Sequence, residues 1–351
     1  MSLEQESGRQ QLKSGSFINN PQNRAIFYQI LLVCALGYFF YSIVSNAIAN
    51  MEARGIKSGF GFLFTTAGFD ILMSLIPYDA THSYGKTFIV GLLNTILVSV
   101  IGIALATVIG FAMGVAYFSK NWLIRRLSIV YVEIFRNIPL LLQVFFWYFA
   151  VLAALPGARD SLALGDSIFL NVRGLFLPSV VDDDGSLVVY IALAIVVIGI
   201  FLLRRWAHKR QDETGQQFPL LSTSIGLLIG IPLLVTLFMG VPFHLDYPQL
   251  GRFNISGGSS VIPELMALAL ALSIYTGAFI AEAVRAGVQS VPHGQTEAAR
   301  SIGLSERKIM SLIVVPQAMR VITPLLNSEY QSLVKNSTLA TAIGYPDLFT
   351  V

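Results

Sequence analysis

Along this chain, long uncharged stretches alternate with short polar ones. Runs free of Asp, Glu, Lys and Arg lie between Arg24 and Glu52, Lys86 and Lys120, Arg136 and Arg159, Asp184 and Arg204, Glu213 and Asp246, and Glu264 and Glu282. A hydrocarbon core about 30 Å thick needs about 20 mainly apolar residues in helical form, and each run reaches or approaches that length. They predict six membrane-spanning helices. A seventh apolar stretch, from Ile309 to Val334, is interrupted by Pro316, Arg320, Pro324 and Glu329, which predicts a broken or interfacial helix followed by a span. Runs such as "GLLNTILVSVIGIALATVIGFAMGVAYF" show none of the apolar/polar alternation of a β-barrel strand. The fold class expected is an all-α polytopic membrane protein.

Composition agrees, since 54% hydrophobic against 12% charged residues falls far from the roughly 25% charged share of soluble domains. Residues 1–24 form a polar tail without an apolar core or small-residue cleavage site, so a removed secretory signal is not expected and the first span is retained. With that tail cytoplasmic and six spans alternating, fifteen Lys and Arg fall inside, Arg9, Lys13, Arg204 and Arg307 among them, against six outside: Arg54, Lys57, Lys86, Arg159, Arg173 and Arg252. Such a bias sets the orientation, with the N-terminus cytoplasmic. The net charge of +3 is this asymmetry spread over separate loops, not a nucleic-acid footprint.

One cysteine, Cys34, excludes an intrachain disulfide, and His82, His208, His244 and His293 lack ligand spacing, so no metal site is expected. There is no GxxxxGK[ST] loop, GxGxxG, GxSxG or HExxH. Any ATP must therefore be bound by another chain.

The polar stretch "QSVPHGQTEAARSIGLSERKIMSLIVVPQAMRVITP" stands out between apolar segments. Pro292 suits a helix start, "TEAARSI" is helix-prone, Gly303 ends it, and Ser305 can cap a second helix that stops at Pro316. Two short helices joined at a glycine make an elbow. The small Ala298 and Ala299 let it press on another surface, with Glu297, Arg300, Glu306, Arg307 and Lys308 as a polar rim.

Glu297-Ala298-Ala299, then Gly303, then a hydrophobic stretch to Pro316, resembles the EAA loop of ABC importer membrane subunits. "GLLNTILVSVIGIALATVIGFAMG", "EIFRNIPLLLQVFF", "YTGAFIAEAVRAGVQSVPHGQ" and "LVKNSTLATAIGYPDL" are similar to the polar-amino-acid branch of that family. The leading "NAIANMEARGIKSGFGFLFTTAGFDI" and the extra helices resemble the Q-type permease of general L-amino-acid importers. The resemblance implies a type I ABC importer transmembrane domain with extra N-terminal and inserted helices. Its parts are a tail (1–24), a first helix and periplasmic segment (25–87), and a permease domain (88–351) with an insert at 152–259 carrying two extra helices and an EAA coupling loop at 289–316. It further implies the bacterial inner membrane, ATP and Mg on a cytoplasmic ATPase dimer, a second non-identical permease, a periplasmic amino-acid-binding protein, and no catalysis by this chain. Coupling would fall to Glu297, Ala298, Ala299, Gly303 and Pro316. Family members usually carry one more membrane helix after the "IGYPDL" block, whereas this sequence stops at Val351.

A zwitterionic amino acid sheds its hydration in hydrocarbon at a cost of many kcal/mol, so a lined cavity must replace that water. Polar residues inside spans mark such a path by default. The candidates are Asn94, Thr95, Gln143, Tyr275, Thr276, Glu282 and Glu329. Other readings stand beside them. Asn94 and Thr95 can bond a neighbouring helix or, for Thr95, its own backbone. Glu282 and Arg285 can form a local pair, and Glu133 and Arg136 an interfacial pair or snorkelling charges. Gly287, Gly294 and Gly303 suit backbone turns, while Gly102, Gly110 and Gly114 suit close helix packing. A secondary carrier or channel would leave the elbow unexplained, and a membrane enzyme would want clustered histidines and carboxylates that "VDDDG" does not supply.

Overall fold

The computed structural model describes residues 21–55, 59–251 and 254–351. Most of the polar tail, with Arg9 and Lys13, and the loop cations Lys57 and Arg252 lie outside the described residues. The chain divides into a smaller unit, ending at Phe69 and including Ala80–Lys86, and a larger one of Asp70–Asp79 and Thr87–Val351. In the smaller unit, helix α1 (Pro21–Ala53) is apolar and exposed along its length. A 3-10 turn at Phe60–Phe64 follows, and the rings of Phe62 and Phe69 meet Tyr84 edge-on.

The larger unit is built from helices that cross the membrane. Across the described residues, with α1 of the smaller unit counted, six helices are long and apolar enough to span, or seven if one bent pair counts as a span. Helix α2 (Tyr84–Ala116) is followed by α3 (Trp122–Asn137) and α4 (Leu140–Phe145), the latter continued by a π turn to Leu152. Here the structure corrects the sequence reading. The run from Arg136 to Arg159 is not one straight span, because α3 and the α4 segment meet at 104°. Pro139 bars its predecessor from helical conformation, and Ile138 is accordingly extended (φ −89°, ψ 125°).

Helices α5 (Ser186–Thr214) and α6 (Leu220–Phe238) pack as an antiparallel hairpin with mostly exposed faces. Short strands flank it within the otherwise helical fold. β1 (Leu162–Ala163), β2 (Phe169–Asn171), β3 (Gly174–Leu177) and β8 (Ser259–Val261) form one antiparallel sheet; β4 (Ser179–Asp182) pairs with β5 (Phe243–Asp246), and β6 (Gln249–Leu250) with β7 (Ile255–Ser256). The β4–β5 ladder closes the open end of the α5–α6 hairpin, since it joins the residues before α5 to those after α6.

Helix α7 (Pro263–Gln289) is the packing centre, with 72% of its apolar window buried among α10 (Val315–Asn336), α3, α4 and the π turn. In lipid the apolar effect gives helices no reason to associate, so close contact between small residues must do so. A Cβ on Gly110 would sit 2.5 Å from Ile280 Cβ, and one on Gly114 2.6 Å from Val284 Cβ, which packs α2 tightly on α7. Gly102 is packed less tightly, a Cβ there lying 3.2 Å from the Cδ2 end of Leu333. Gly287 does not make a turn but packs against Ile322 inside α7, and Gly294 is helical with open space beside it.

The seventh stretch is corrected too. Helix α9 (Glu306–Ile309), a π turn (Met310–Val314) and α10 form one continuous span, so the helix passes Pro316 and Pro324 instead of stopping. The π turn directly before Pro316 widens the backbone there, making room for a ring that would otherwise strike the preceding turn.

Candidate functional site

The elbow forms from local rules. Pro292, extended at φ −60° and ψ 135°, precedes α8 (His293–Ser301), and Gln295 N–H donates back to its carbonyl. After α8 the chain turns through Gly303 at φ +80°, with Gly303 N–H donating to Arg300 O and Leu304 N–H to Ala299 O. That left-handed cap is what glycine supplies. Ser305 takes the N-cap position of α9, but its side chain accepts no capping bond. Ala299 is buried with Ile309 and Val314 in a small core of its own, bordered by Val288, Val291, Leu304 and Ile313. The two alanines therefore divide their labour: Ala299 seals the elbow, and Ala298 and Glu297 are exposed.

Arg300 Nε donates to Glu306 Oε1 at 2.7 Å and its Nη2 to Oε2 at 3.2 Å, a two-point clamp across the bend. The Glu306 carboxylate beside it raises the Arg300 guanidinium above its ordinary pKa. Ile302, unremarked in the sequence, is 76% exposed at the tip. An apolar side chain that far out in a polar turn suits an anchor for a partner groove. Pro316 lies beyond the elbow, at the start of α10.

The polar span residues separate into glue and lining. Asn94 Nδ2 donates to Met73 O at 2.8 Å and Pro346 O at 2.9 Å, and Tyr345 donates to Asn94 O. Thr95 Oγ1 donates to Gly91 O and accepts from Leu348 N–H. Both bind the C-terminal segment to α2. Gln143 Nε2 donates to Phe135 O and Ile138 O at 3.0 Å, satisfying carbonyls released by the Pro139 break. Thr276 is buried within α7, while Tyr275 packs on Phe279 with ring centroids 4.9 Å apart.

Glu282 stands elsewhere, on a cavity of about 470 Å³ between the end of α2, α3 and α7. Arg285 grips it through two nitrogens, Nε at 2.9 Å from Oε2 and Nη2 on Oε1, and Nη1 donates to Gln289 Oε1 at 2.7 Å. Arg136 approaches Glu282 at 3.8 Å and lies over the Phe279 ring at 5.1 Å. The expected pairing of Arg136 with Glu133 is thus replaced by one across helices. Glu329, half-buried on α10, lies within electrostatic reach of Arg136. Sequence reasoning left Arg136 out of the path, although a cation three residues before a helix-breaking proline was the available clue.

A family model, the binding-protein-dependent transport system inner membrane component, matches residues 216–351. The chain is 49% identical to the general L-amino acid transport system permease protein AapQ of Rhizobium johnstonii over 96% of this chain and 84% of that protein. It is 48% identical to the putative amino-acid ABC transporter permease protein YhdX of Escherichia coli, over 98% of this chain and 87% of the relative. Identity is 37% to the glutamate/glutamine/aspartate/asparagine transport system permease protein BztB of Rhodobacter capsulatus, over 99% and 88%.

Proposed function

This chain belongs to the family of inner membrane components of binding-protein-dependent transport systems, and we propose on that premise that it is the Q-type permease of a general L-amino-acid importer. It is an amino-acid ABC permease subunit, a multi-pass membrane protein. The finer reading is that it pairs with a second, non-identical permease, receives substrate from a periplasmic binding protein and is driven by ATP and Mg held on a cytoplasmic ATPase dimer. The general substrate range is supported by the likeness to AapQ, whose name carries that term.

The observation that carries this reading is the elbow. It has its own sealed core, a clamped bend and an apolar tip, and this geometry suits a rigid handle that transmits force. ATP-driven closure of the ATPases would move α8 and α9, and the movement would pass into α7 and α10, which flank the elbow in sequence and pack on each other. The helix bundle then alternates between outward and inward openings.

The test is purification of the tagged chain from its native membrane in mild detergent. Recovery of an ATPase and a second permease, with the ATPase lost in Ile302→Asp while the second permease remains, is the expected result. A chain recovered alone that transports amino acids in liposomes without ATP would return the reading to a secondary carrier.

A further inference from the structure

We propose that the α5–α6 turn binds the headgroup of an anionic phospholipid, its phosphate held by Arg204 and Arg205 with Arg210 as a third donor. The inference goes beyond the transport reading and does not rest on it. Depth comes first. From Ser186 to Arg204, α5 rises about 27 Å at about 1.5 Å per residue, close to a hydrocarbon thickness of about 30 Å. Helix α6, with 19 residues, covers about the same distance. Beyond Arg204, α5 continues for about 15 Å to Thr214. The arginines therefore begin where hydrocarbon ends and lipid phosphates lie. None of the apolar window of α6 and 11% of that of α5 is buried, so acyl chains flank the hairpin and their headgroups flank its turn.

The charges at this turn are not equally free. Lys209 lies 3.8 Å from Glu213, which occupies both. Asp212 stands about 12 Å beyond Arg204 along the helix axis. Arg210 keeps one nitrogen on Gln216 Oε1 at 3.2 Å. Arg204 and Arg205 are exposed and have no hydrogen bond or ion pair among the described residues.

The rings beside them hold the donors in place. Arg205 lies over Phe201 and Arg210 over Trp206, each 5.4 Å from the ring centroid. A guanidinium packed on a ring keeps its N–H edge for a ligand, and that planar fork matches the geometry of a phosphate. Trp206 in turn meets Phe218, with centroids 5.4 Å apart, which ties the end of α5 to the residues that lead into α6. Four Lys and Arg between positions 204 and 210, directly after an apolar span, form the pattern that anionic lipid attracts. A zwitterionic lipid brings a cation beside its phosphate, and the cluster repels that cation. The site therefore selects lipids with net negative charge.

The test uses the full chain with the partner subunits it retains, reconstituted in phosphatidylcholine liposomes. The probe is phosphatidylglycerol carrying a photoactivatable diazirine at the headgroup end of an acyl chain, and crosslinked peptides are mapped by mass spectrometry. Crosslinks on residues 201–218 are expected, competed by unlabelled phosphatidylglycerol but not by inorganic phosphate at matched ionic strength. The same diazirine on phosphatidylcholine should label this segment several-fold less. The triple variant Arg204→Gln, Arg205→Gln, Arg210→Gln should lose about tenfold or more of the labelling, whereas the corresponding triple Lys variant, which keeps the charge, should recover much of it. Absence of labelling in the wild type, as a protein partner covering the turn would cause, overturns the site. So do equal labelling by both lipids, unchanged labelling in the Gln variant, or a Lys variant as impaired as the Gln variant. Displacement by inorganic phosphate would make it a soluble-anion site and overturn the lipid assignment.

Discussion

Ala298 and Ala299 are adjacent and chemically identical, yet the fold assigns them opposite jobs. Ala299 lies in the elbow's own core, so Ala299→Leu forces three extra heavy atoms against Ile309 and Val314 and costs about 1–3 kcal/mol, as overpacked interiors do. The elbow should loosen, seen as faster proteolysis between residues 289 and 316. Ala298 is exposed, so Ala298→Leu should leave that proteolysis unchanged while weakening retention of the ATPase. Equal proteolysis of both variants would show that the buried alanine does not hold the bend. Glu297 is also exposed and lacks an ion pair among the described residues. Glu297→Ala should reduce ATP-dependent uptake about tenfold or more with membrane insertion intact, and normal uptake would remove Glu297 from coupling.

At the level of elements, the break between α3 and α4 gives Gln143, a candidate for the path, a structural task. Gln143 donates to two carbonyls that the Pro139 bend leaves without helical partners. Gln143→Leu strands them, and unsatisfied buried polar groups cost about 1–3 kcal/mol each. A lower melting temperature with an unchanged substrate profile is expected; an altered profile at unchanged stability would return Gln143 to the path. Gly110→Ala tests packing in the same way, because its new Cβ would meet the branched carbon of Ile280 and Gly277 O at 2.9 Å, neither able to yield as a flexible chain end would. Destabilisation of the bundle should again be the readout.

These cases show what was legible in the sequence. Hydrophobic length located the spans, and the elbow was readable because proline, glycine and helix propensity act locally. The 104° bend and the continuity through Pro316 were not, since one proline ended a helix and the other was absorbed by a π turn that only neighbouring packing selects. Partner choice was least legible. Arg136 reaches Glu282 across 146 positions, and Asn94 reaches Pro346 across 252.

For the whole molecule, the distribution of cations and the position of the elbow make one joint demand. The long helix α5 runs from an apolar start to Arg204, Arg205, Lys209 and Arg210, where Arg205 stacks over Phe201, Arg210 over Trp206, and Trp206 meets Phe218 edge-on. This basic and aromatic cuff is what a cytoplasmic interface collects. If it lies inside, alternation through α6 and α7 brings the elbow to the same side, where ATP is, and puts the β-strands outside, where a binding protein would dock. The demand is checkable because Cys34 is the sole cysteine and can be removed. In a Cys34→Ala background, single cysteines at the exposed Asp166 and Asp212 should behave oppositely toward a membrane-impermeant maleimide. Asp166→Cys should label in intact spheroplasts, and Asp212→Cys only after lysis. The reverse pattern would place the elbow on the face without ATP, and no account of coupling through it would survive.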